Sequence, residues 1–372
     1  MRIYKHLSYI ACFCLAQHAV AQNVVKYSNE FLSIGVGARA LGMSGAQVSI
    51  VDDVTSGFWN PAGLAAMSDK TQVALMHSEY FAGIAKFDYG AFATRIDDRT
   101  AAGVSVVRFG IDDIPDTSEL IDANGNINYD RVTSFSAADL AVLLSIARKS
   151  KKAGLSYGAS IKVVNRRIGD FAKAWGFGID AGVRYQKKSL TLAASAKDIT
   201  TTFNAWSFNL SPSQIDAFNA TGNVIPVNSN EITMPSLTLG VANKFNLGKK
   251  FTVLPTLDLI TTFDGMRNTV IRNSGWSMNP AVGIEAGFKN LIFLRGGIGN
   301  FQSLQKADLT GREMTYQPNI GLGLRLGPVN IDYAFSDIGD RSTALYSHVF
   351  SLQFNLKPKA VTASSPENKS NP

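Results

Sequence analysis

The chain has almost no cysteine: its two, Cys12 and Cys14, both fall within the first 21 residues. A disulfide scaffold, a thiolate nucleophile and a cysteine-based zinc site are therefore excluded from the rest of the chain. Histidine is nearly as scarce, and beyond residue 21 only His77 and His348 remain. After residue 22 no apolar run reaches the ~18 residues that a membrane-spanning helix requires. There is no basic stripe interleaved with aromatics, so no nucleic-acid partner is expected. No Gly-x-x-x-x-Gly-Lys-Ser/Thr loop occurs, which argues against a nucleotide site. Ser347 precedes His348, but sequence neighbours do not build a triad and no orienting acid can be assigned. Asp52 and Asp53 are adjacent, and adjacent residues of an extended chain point to opposite sides. The reading is of a protein that is not an enzyme, with no catalytic residues, no cofactor and no metal site.

The first residues explain the missing cysteines. Arg2 and Lys5 form a positive start, Leu7 to Ala16 a short apolar core, and Ala19-Val20-Ala21 a small-x-small cleavage site. Residues 1–21 read as a secretory signal peptide cut before Gln22. Ile10-Ala11-Cys12 is only loosely lipobox-like and would leave almost no apolar core. Losing Arg2 and Lys5 takes the formal charge from +7 to +5.

What the chain does have is glycine, aromatics and period-two alternation. In "AWGFGIDAGVRYQ", Trp175, Phe177, Ile179, Ala181, Val183 and Tyr185 share one face, and Gly176, Gly178, Asp180, Gly182, Arg184 and Gln186 the other. "GLSYGASIKVV" sets Leu155, Tyr157, Ala159, Ile161 and Val163 against Ser156, Gly158, Ser160 and Lys162. The pattern returns in "AVGIEAGF", "NIGLGLRLG", "VNIDYAF" and "FSLQFNL". It predicts about fourteen strands, over 71–80, 83–96, 99–110, 136–149, 154–167, 174–186, 189–198, 234–246, 251–263, 279–289, 291–301, 317–327, 328–337 and 347–357. Pro255 inside one of them argues against a regular ladder at that point.

Most of these strands approach the ~10 residues that a tilted membrane strand needs, whereas soluble strands average about 5–6. Their connections mostly alternate between short ones and long ones, the long being 111–135, 199–233, 264–278, 302–316 and 338–346, while those near Ala82 and at 168–173 are short on the long side. Short periplasmic turns and long outer loops are the signature of a transmembrane up-and-down barrel, and a soluble sandwich has no reason to sort its loops. The reading is thus all-β: an antiparallel β-barrel in the bacterial outer membrane, with both ends on the periplasmic side. Its polar face, Gly-rich with scattered Lys162, Asp180, Arg184, Lys197, Lys244, Asp258, Glu285, Arg325 and Asp332, reads as a lumen. The barrel spans 71–357, and the polar, Pro-bearing tail 358–372 reads as disordered.

Residues 22–70 precede the first strand and do not alternate. A segment of that length has a natural place as a plug inside a wide, polar barrel. Within it lies "FLSIGVGARALGMSGAQVSIVDDVTSGFWNPAGLAAM", Phe31 to Met67. Gly35, Gly37, Gly42 and Gly45 permit close backbone approach and left-handed turns. Arg39, Asp52 and Asp53 are expected to pair with lumen charges, since a buried Arg is tolerable only when paired. Asn60-Pro61 signals a helix start, with Asn60 as cap and Pro61 first in the helix. Trp59, Phe58, Phe31, Leu32 and Ile34 form the plug's own small core or line an apolar pocket.

This stretch resembles the N-terminal signature of the PorV/PorQ family of Bacteroidota outer-membrane proteins, which is itself similar to FadL-type barrels with an N-terminal plug. The resemblance implies a fourteen-stranded plugged barrel associated with the type IX secretion system. It implies partners as well: the translocon barrel and exported cargo, whose C-terminal signal domain PorV-like members bind and hand to the surface attachment machinery. PorQ-like members support that surface assembly. Outer-membrane lipid or lipopolysaccharide is a further expected partner. Typical PorV chains tend toward Pro-Asp before Ala-Arg and toward Tyr-Trp-Asn-Pro. Here the chain has Val36-Gly37 and Phe58-Trp59, which leaves PorV-like and PorQ-like placement open. The alternative is a FadL-like channel for long-chain fatty acids or other hydrophobic small molecules. Partner contacts are expected from the long outer loops, above all 199–233, where Trp206, Phe208 and Phe218 stand in polar surroundings. Packing of those aromatics onto the barrel rim is the competing reading.

Overall fold

The structure, a computed structural model, describes residues 28–121, 125–306, 308–339 and 346–356. The signal peptide and the tail lie outside the described residues.

Eighteen strands form one sheet. Fourteen of them close a ring, all neighbours antiparallel. The first seven staves are β1 (Thr71–Tyr80), β2 (Ala85–Arg95), β3 (Thr100–Asp116), β4 (Thr133–Lys149), β5 (Leu155–Ile168), β6 (Ala172–Lys187) and β7 (Leu190–Lys197). Short strands β8 (Thr202–Phe208) and β9 (Ser229–Thr233) follow, then the stave β10 (Ser236–Asn243), the stub β11 (Phe245–Leu247), the stave β12 (Phe251–Thr262) and the stub β13 (Ile271–Arg272). The staves β14 (Ser277–Phe288), β15 (Ile292–Gln305), β16 (Arg312–Leu326), β17 (Val329–Ser336) and β18 (Ser347–Leu356) complete the wall. Closure is direct: β1 pairs with β18 from Thr71 opposite Leu356 to Glu79 opposite His348. A closed ring has no unpaired edge, as lipid requires of a wall; the ladder is interrupted at bulges between Ile111 and Ile114 and between Gly299 and Gln302, and Pro255 sits within β12 opposite Ile284.

Burial is inverted relative to a soluble protein. On β5 the exposed set is Tyr157, Ile161 and Val163, while Ser156, Ser160 and Lys162 are buried. Leu144, Trp175, Phe177, Leu239, Leu294 and Leu322 are likewise exposed, and Asp180, Arg184, Asp258, Glu285 and Arg295 are buried. An apolar outside around a polar inside is stable only where the outside meets lipid.

All fourteen expected strands are present. The main correction concerns 199–233, expected as a loop. β7 ends at Asp198–Thr201, where Asp198 and Thr201 adopt positive φ (55° and 59°), and the chain resumes as β8 on the outer half of β6. β8 pairs with β9, and the two are joined through a helix, Pro212–Ala220, so the wall itself rises here. Pro235, which has no N–H to give a ladder, separates β9 from β10. The helix carries a full capping box: Ser211 Oγ accepts from Gln214 N at 3.2 Å, and Gln214 Oε1 accepts from Ser211 N at 2.9 Å. β3, β4, β15 and β16 also run further outward than the alternation alone indicated, which shortens the loops between them.

Candidate functional site

Residues 29–67 lie inside the ring and bond to strands on all sides of it. Ala38 N donates to Ser351 Oγ on β18 (2.8 Å), and Asn319 Nδ2 on β16 donates to the Leu41 carbonyl (3.0 Å). Gln47 N and Val48 N both donate to Asp258 Oδ2 on β12, each at 2.8 Å. Val54 N donates to Gln72 Oε1 on β1 (2.9 Å), and Ser156 Oγ on β5 donates to the Ala62 carbonyl (3.0 Å). Backbone groups that cannot join a regular element are satisfied by lumen side chains, as burial demands.

Small residues make this contact possible. A Cβ on Gly42 would meet Gly321 Cα at 2.9 Å, so plug and wall touch backbone to backbone. Gly35, at φ +91°, lies under the Trp59 ring, and a Cβ there would meet its Cη2 at 2.7 Å. Gly37 precedes the short helix Ala38–Leu41, and Gly45 also underlies Trp59. Trp59 Nε1 donates to the Val36 carbonyl at 2.9 Å. Its ring meets Phe58 edge-on at 5.3 Å, and Lys197 Nζ sits 4.2 Å from the Phe58 centroid.

Asn60 and Pro61 play the parts expected. Pro61 opens the 3-10 helix Pro61–Ala66, and Asn60 Oδ1 caps it by accepting from Ala62 N (3.1 Å). Asn60 Nδ2 then donates to the carbonyls of Val48 (3.2 Å) and Val183 on β6 (3.3 Å).

Arg39 binds Glu285 with two bonds, Nε to Oε2 at 2.9 Å and Nη2 to Oε1 at 3.1 Å. Glu285 also accepts from Arg295 Nε (2.8 Å), and Arg295 Nη1 reaches Asp332 Oδ1 (2.6 Å). Asp52 lies 3.5 Å from Arg39 Nη1 at the open end of this chain. Burial by itself lowers the Arg39 pKa, but the charge of Glu285 and then Asp52 outweighs it, and the guanidinium is held further above its ordinary value. Asp53 differs from the expectation: it accepts from Thr55 N (2.8 Å) and Thr55 Oγ1 (2.6 Å) and makes no ion pair within 4 Å among the described residues. Burial raises its pKa, opposed by Arg39. Arg295 is the member that sequence reasoning missed. It shares the inward face of β15 with Phe293, and that apolar neighbour hides the polar parity.

The plug divides the lumen. On the periplasmic side a cavity of about 400 Å³ is lined by Arg39, Asp52, Gln72, Arg295 and Asp332. On the outer side two adjoining cavities of about 160 and 560 Å³ share Glu30, Gly45, Trp59 and Arg267. The outer and periplasmic cavities have no lining residue in common. Above them, Trp206 and Phe208 stack at 6.0 Å on the inward face of β8. Arg166 lies over Trp206, and Trp206 Nε1 donates to Glu231 Oε2 at 2.7 Å. These two aromatics, and Phe218 on the helix, are half-buried. Trp206 and Phe208 thus pack into the mouth of the barrel instead of projecting from a loop.

A closed fourteen-stranded antiparallel barrel, apolar outside and with its N-terminal segment bonded inside the ring, defines an integral outer-membrane β-barrel protein. Comparison with solved structures agrees. The toluene transporter TbuX of Ralstonia pickettii aligns over 87% of this chain and 98% of its own, with TM-score 0.54 at 16% identity. The toluene transporter TodX of Pseudomonas putida covers the same shares with TM-score 0.55 at 15% identity. A FadL homologue of Pseudomonas aeruginosa gives 0.52 at 13% identity, over 86% of this chain and 98% of its own. At such identities the likeness shows the fold alone. Residues 17–253 match the family described as type IX secretion system protein PorV, and the chain belongs to that family. A search among curated protein sequences found no match.

Proposed function

We propose that this barrel is a shuttle of the type IX secretion system that binds exported proteins at its outer mouth and conducts nothing through its lumen. On this reading it takes cargo, through the C-terminal signal domain, from the translocon barrel and passes it to surface attachment machinery. It is not an enzyme. The observation that carries the reading is a lumen occupied by the N-terminal segment. A plug bonded to β1, β5, β6, β12, β14, β16 and β18 leaves outer and periplasmic cavities with no shared lining. Work is then left to the outer face. There the raised β8–β9 wall and its helix offer a broad surface, with Val224 and Val227 strongly exposed beside it. Family membership supplies the system in which such a surface would act.

One observation favours a second reading, a channel for hydrophobic small molecules. Leu32, Phe58, Trp59, Met234 and Ile260 line the smaller outer cavity, and the solved neighbours include two toluene transporters. A mild-detergent pull-down of the tagged protein from its native outer membrane, with mass spectrometry, separates the two. A large translocon barrel, or exported proteins retaining their C-terminal domains, is the expected result. Recovery of a bound hydrophobe and no protein overturns the shuttle reading.

A further inference from the structure

The two ends of the barrel differ in charge. Four periplasmic connections follow one another around the wall, joining β4 to β5, β6 to β7, β10 to β12 and β14 to β15. At the first lie Arg148, Lys149, Lys151 and Lys152, and at the second Lys187 and Lys188. The third carries Lys244, Lys249 and Lys250, and the fourth Lys289. These ten cations have no carboxylate among them, since residues 147–155, 185–190, 243–251 and 288–292 contain neither Asp nor Glu. All ten are exposed, and none is paired with a carboxylate among the described residues.

The rest of the same rim is mixed. Asp69 stands beside Lys70, and Arg95 lies 4.0 Å from Asp98 with Asp97 and Arg99 next to it. At the opposite end of the barrel, the tip of β3 and the connection to β4 set Asp112, Asp113, Asp116, Glu119 and Asp130 against Arg131. Like charges gathered without counter-charge repel one another, so the basic arc is stabilised by anions that the chain itself does not supply.

The level of the arc says what those anions are. The side chains next to it face lipid: Phe245 pairs with Val253 and Leu247 with Phe251 on the outward face of β11 and β12, and Phe251 meets Phe288 at 4.9 Å. Leu190, opposite Lys187, is outward as well. Lys152 Nζ lies 5.5 Å from the Tyr185 centroid and Lys289 Nζ 5.4 Å from that of Phe288, both rings on the lipid side of the wall. Outward aromatics at strand ends mark the interfacial level of a membrane, where headgroups lie. The cations stand at that level, with their stems along apolar surface. Charge meant for an acidic soluble protein would project into the periplasm instead of folding back on lipid-facing rings. Lipopolysaccharide belongs to the other leaflet, at the end where this wall is acidic. We propose that the periplasmic connections from β4 to β15 form an arc that binds anionic phospholipid of the inner leaflet, its Lys and Arg side chains donating to the phosphodiester oxygens. The arc occupies one side of the rim, so anionic lipid gathers on that side of the barrel and not all around it.

The test places the full-length protein in phosphatidylcholine nanodiscs carrying a trace of spin-labelled phosphatidylglycerol or, in parallel, of spin-labelled phosphatidylcholine. The motionally restricted fraction reports lipid held at the wall. Phosphatidylglycerol should be held about fivefold more strongly than phosphatidylcholine at low salt, and the preference should shrink as salt screens it. The variant K151Q/K187Q/K188Q/K249Q/K250Q, whose changes all lie at exposed positions of the arc, should lose most of the preference. R131Q/K306Q, at the outer end, should keep it. Heat-modified migration on gels checks that both variants are folded. The salt series needs only the native chain, so it decides even where a variant fails to insert. No preference in the native chain, a preference indifferent to salt, or one that survives in the lysine variant overturns the proposal. Loss of the preference on adding inorganic phosphate at constant ionic strength would assign the arc to free phosphate and overturn it as well. An arc that shows no lipid preference but retains an acidic periplasmic protein overturns it too.

Discussion

The plug meets the wall along two seams that are built differently. Residues 54–66 press against β1 to β6 through an apolar cluster holding Val54, Phe58, Leu64, Tyr89, Val107, Leu143 and Val164. Residues 38–48 face β12 to β18 through charge and bare backbone: Arg39 on Glu285, Asp258 on two N–H groups, Gly42 on Gly321. The first seam gains about 1.5–3 kcal/mol for each large side chain taken from water. The second gains little net, because the cost of desolvating its ions offsets their attraction, yet it fails badly if one partner is removed. Any outward or inward displacement of the plug that opened the lumen would meet less resistance on the ionic side.

Removing one ion sets the largest expected effect. Glu285→Ala leaves Arg39 and Arg295 facing each other with only Asp52 and Asp332 at the ends of the chain. The loss should reach about 3–5 kcal/mol, read as a lower urea midpoint for unfolding in detergent. Phe58→Ala on the other seam should cost about the same, by leaving a cavity. The seams part company in double variants. Adding Arg39→Met to Glu285→Ala withdraws a stranded cation and should return about 1–3 kcal/mol. Adding Leu143→Ala to Phe58→Ala should only deepen the loss. Equal behaviour of the two pairs would dissolve the distinction.

The wall was legible because period two is local: each strand declares its lipid face within ten residues or so. β8 escaped because its aromatics fall on both faces, Phe203 outward and Trp206 and Phe208 inward, and β9 is only five residues long. The Ser211–Gln214 capping box, which was present in the sequence, went unread behind the expectation of a loop. The plug was legible as a segment that does not alternate, and Asn60-Pro61 as a helix start. The partners of Arg39 were not. Glu285 lies 246 residues away, and nothing local says which lumen carboxylate a plug guanidinium will meet. The wall glycines are a subtler case. Gly321 reads in sequence as one more small lumen residue, and only the assembled barrel shows the Gly42 backbone resting on it.

Asn60 joins the seams, being bonded at once to its own helix, to Val48 and to β6. Asn60→Ala removes the cap and strands two buried carbonyls, for an expected loss of about 2–3 kcal/mol. Asn60→Asp keeps the cap acceptor and loses the two donated bonds. Midpoints falling in the order Asn, Asp, Ala would show that cap and cross-link both contribute. An Asp variant as stable as the native chain would leave the cross-link without weight.

The smallest effect concerns the first turn of the plug, where Phe31 joins the edge of the apolar cluster and Asn29 Nδ2 donates to Thr233 Oγ1 at 2.8 Å. Glu30 is tied to the outer end of the wall through Arg267 (3.0 Å), which in turn binds Asp264 (2.6 Å). Burial by itself raises the Asp264 pKa, but the hydrogen bonds and charge of Arg267 outweigh it and hold the carboxyl below its ordinary value. A carboxylate whose pKa falls on folding stabilises the fold fully above its unfolded value, 3.8, and loses that contribution as the pH drops through the lowered one. Hydrogen-exchange protection of residues 29–34 should therefore decline below about pH 4 while that of 54–66 holds. Arg267→Met should lower protection of the same turn at neutral pH and remove the additional loss in acid. If the acid step survives in that variant, the turn is fastened by something other than this ion chain, and the plug has a third seam.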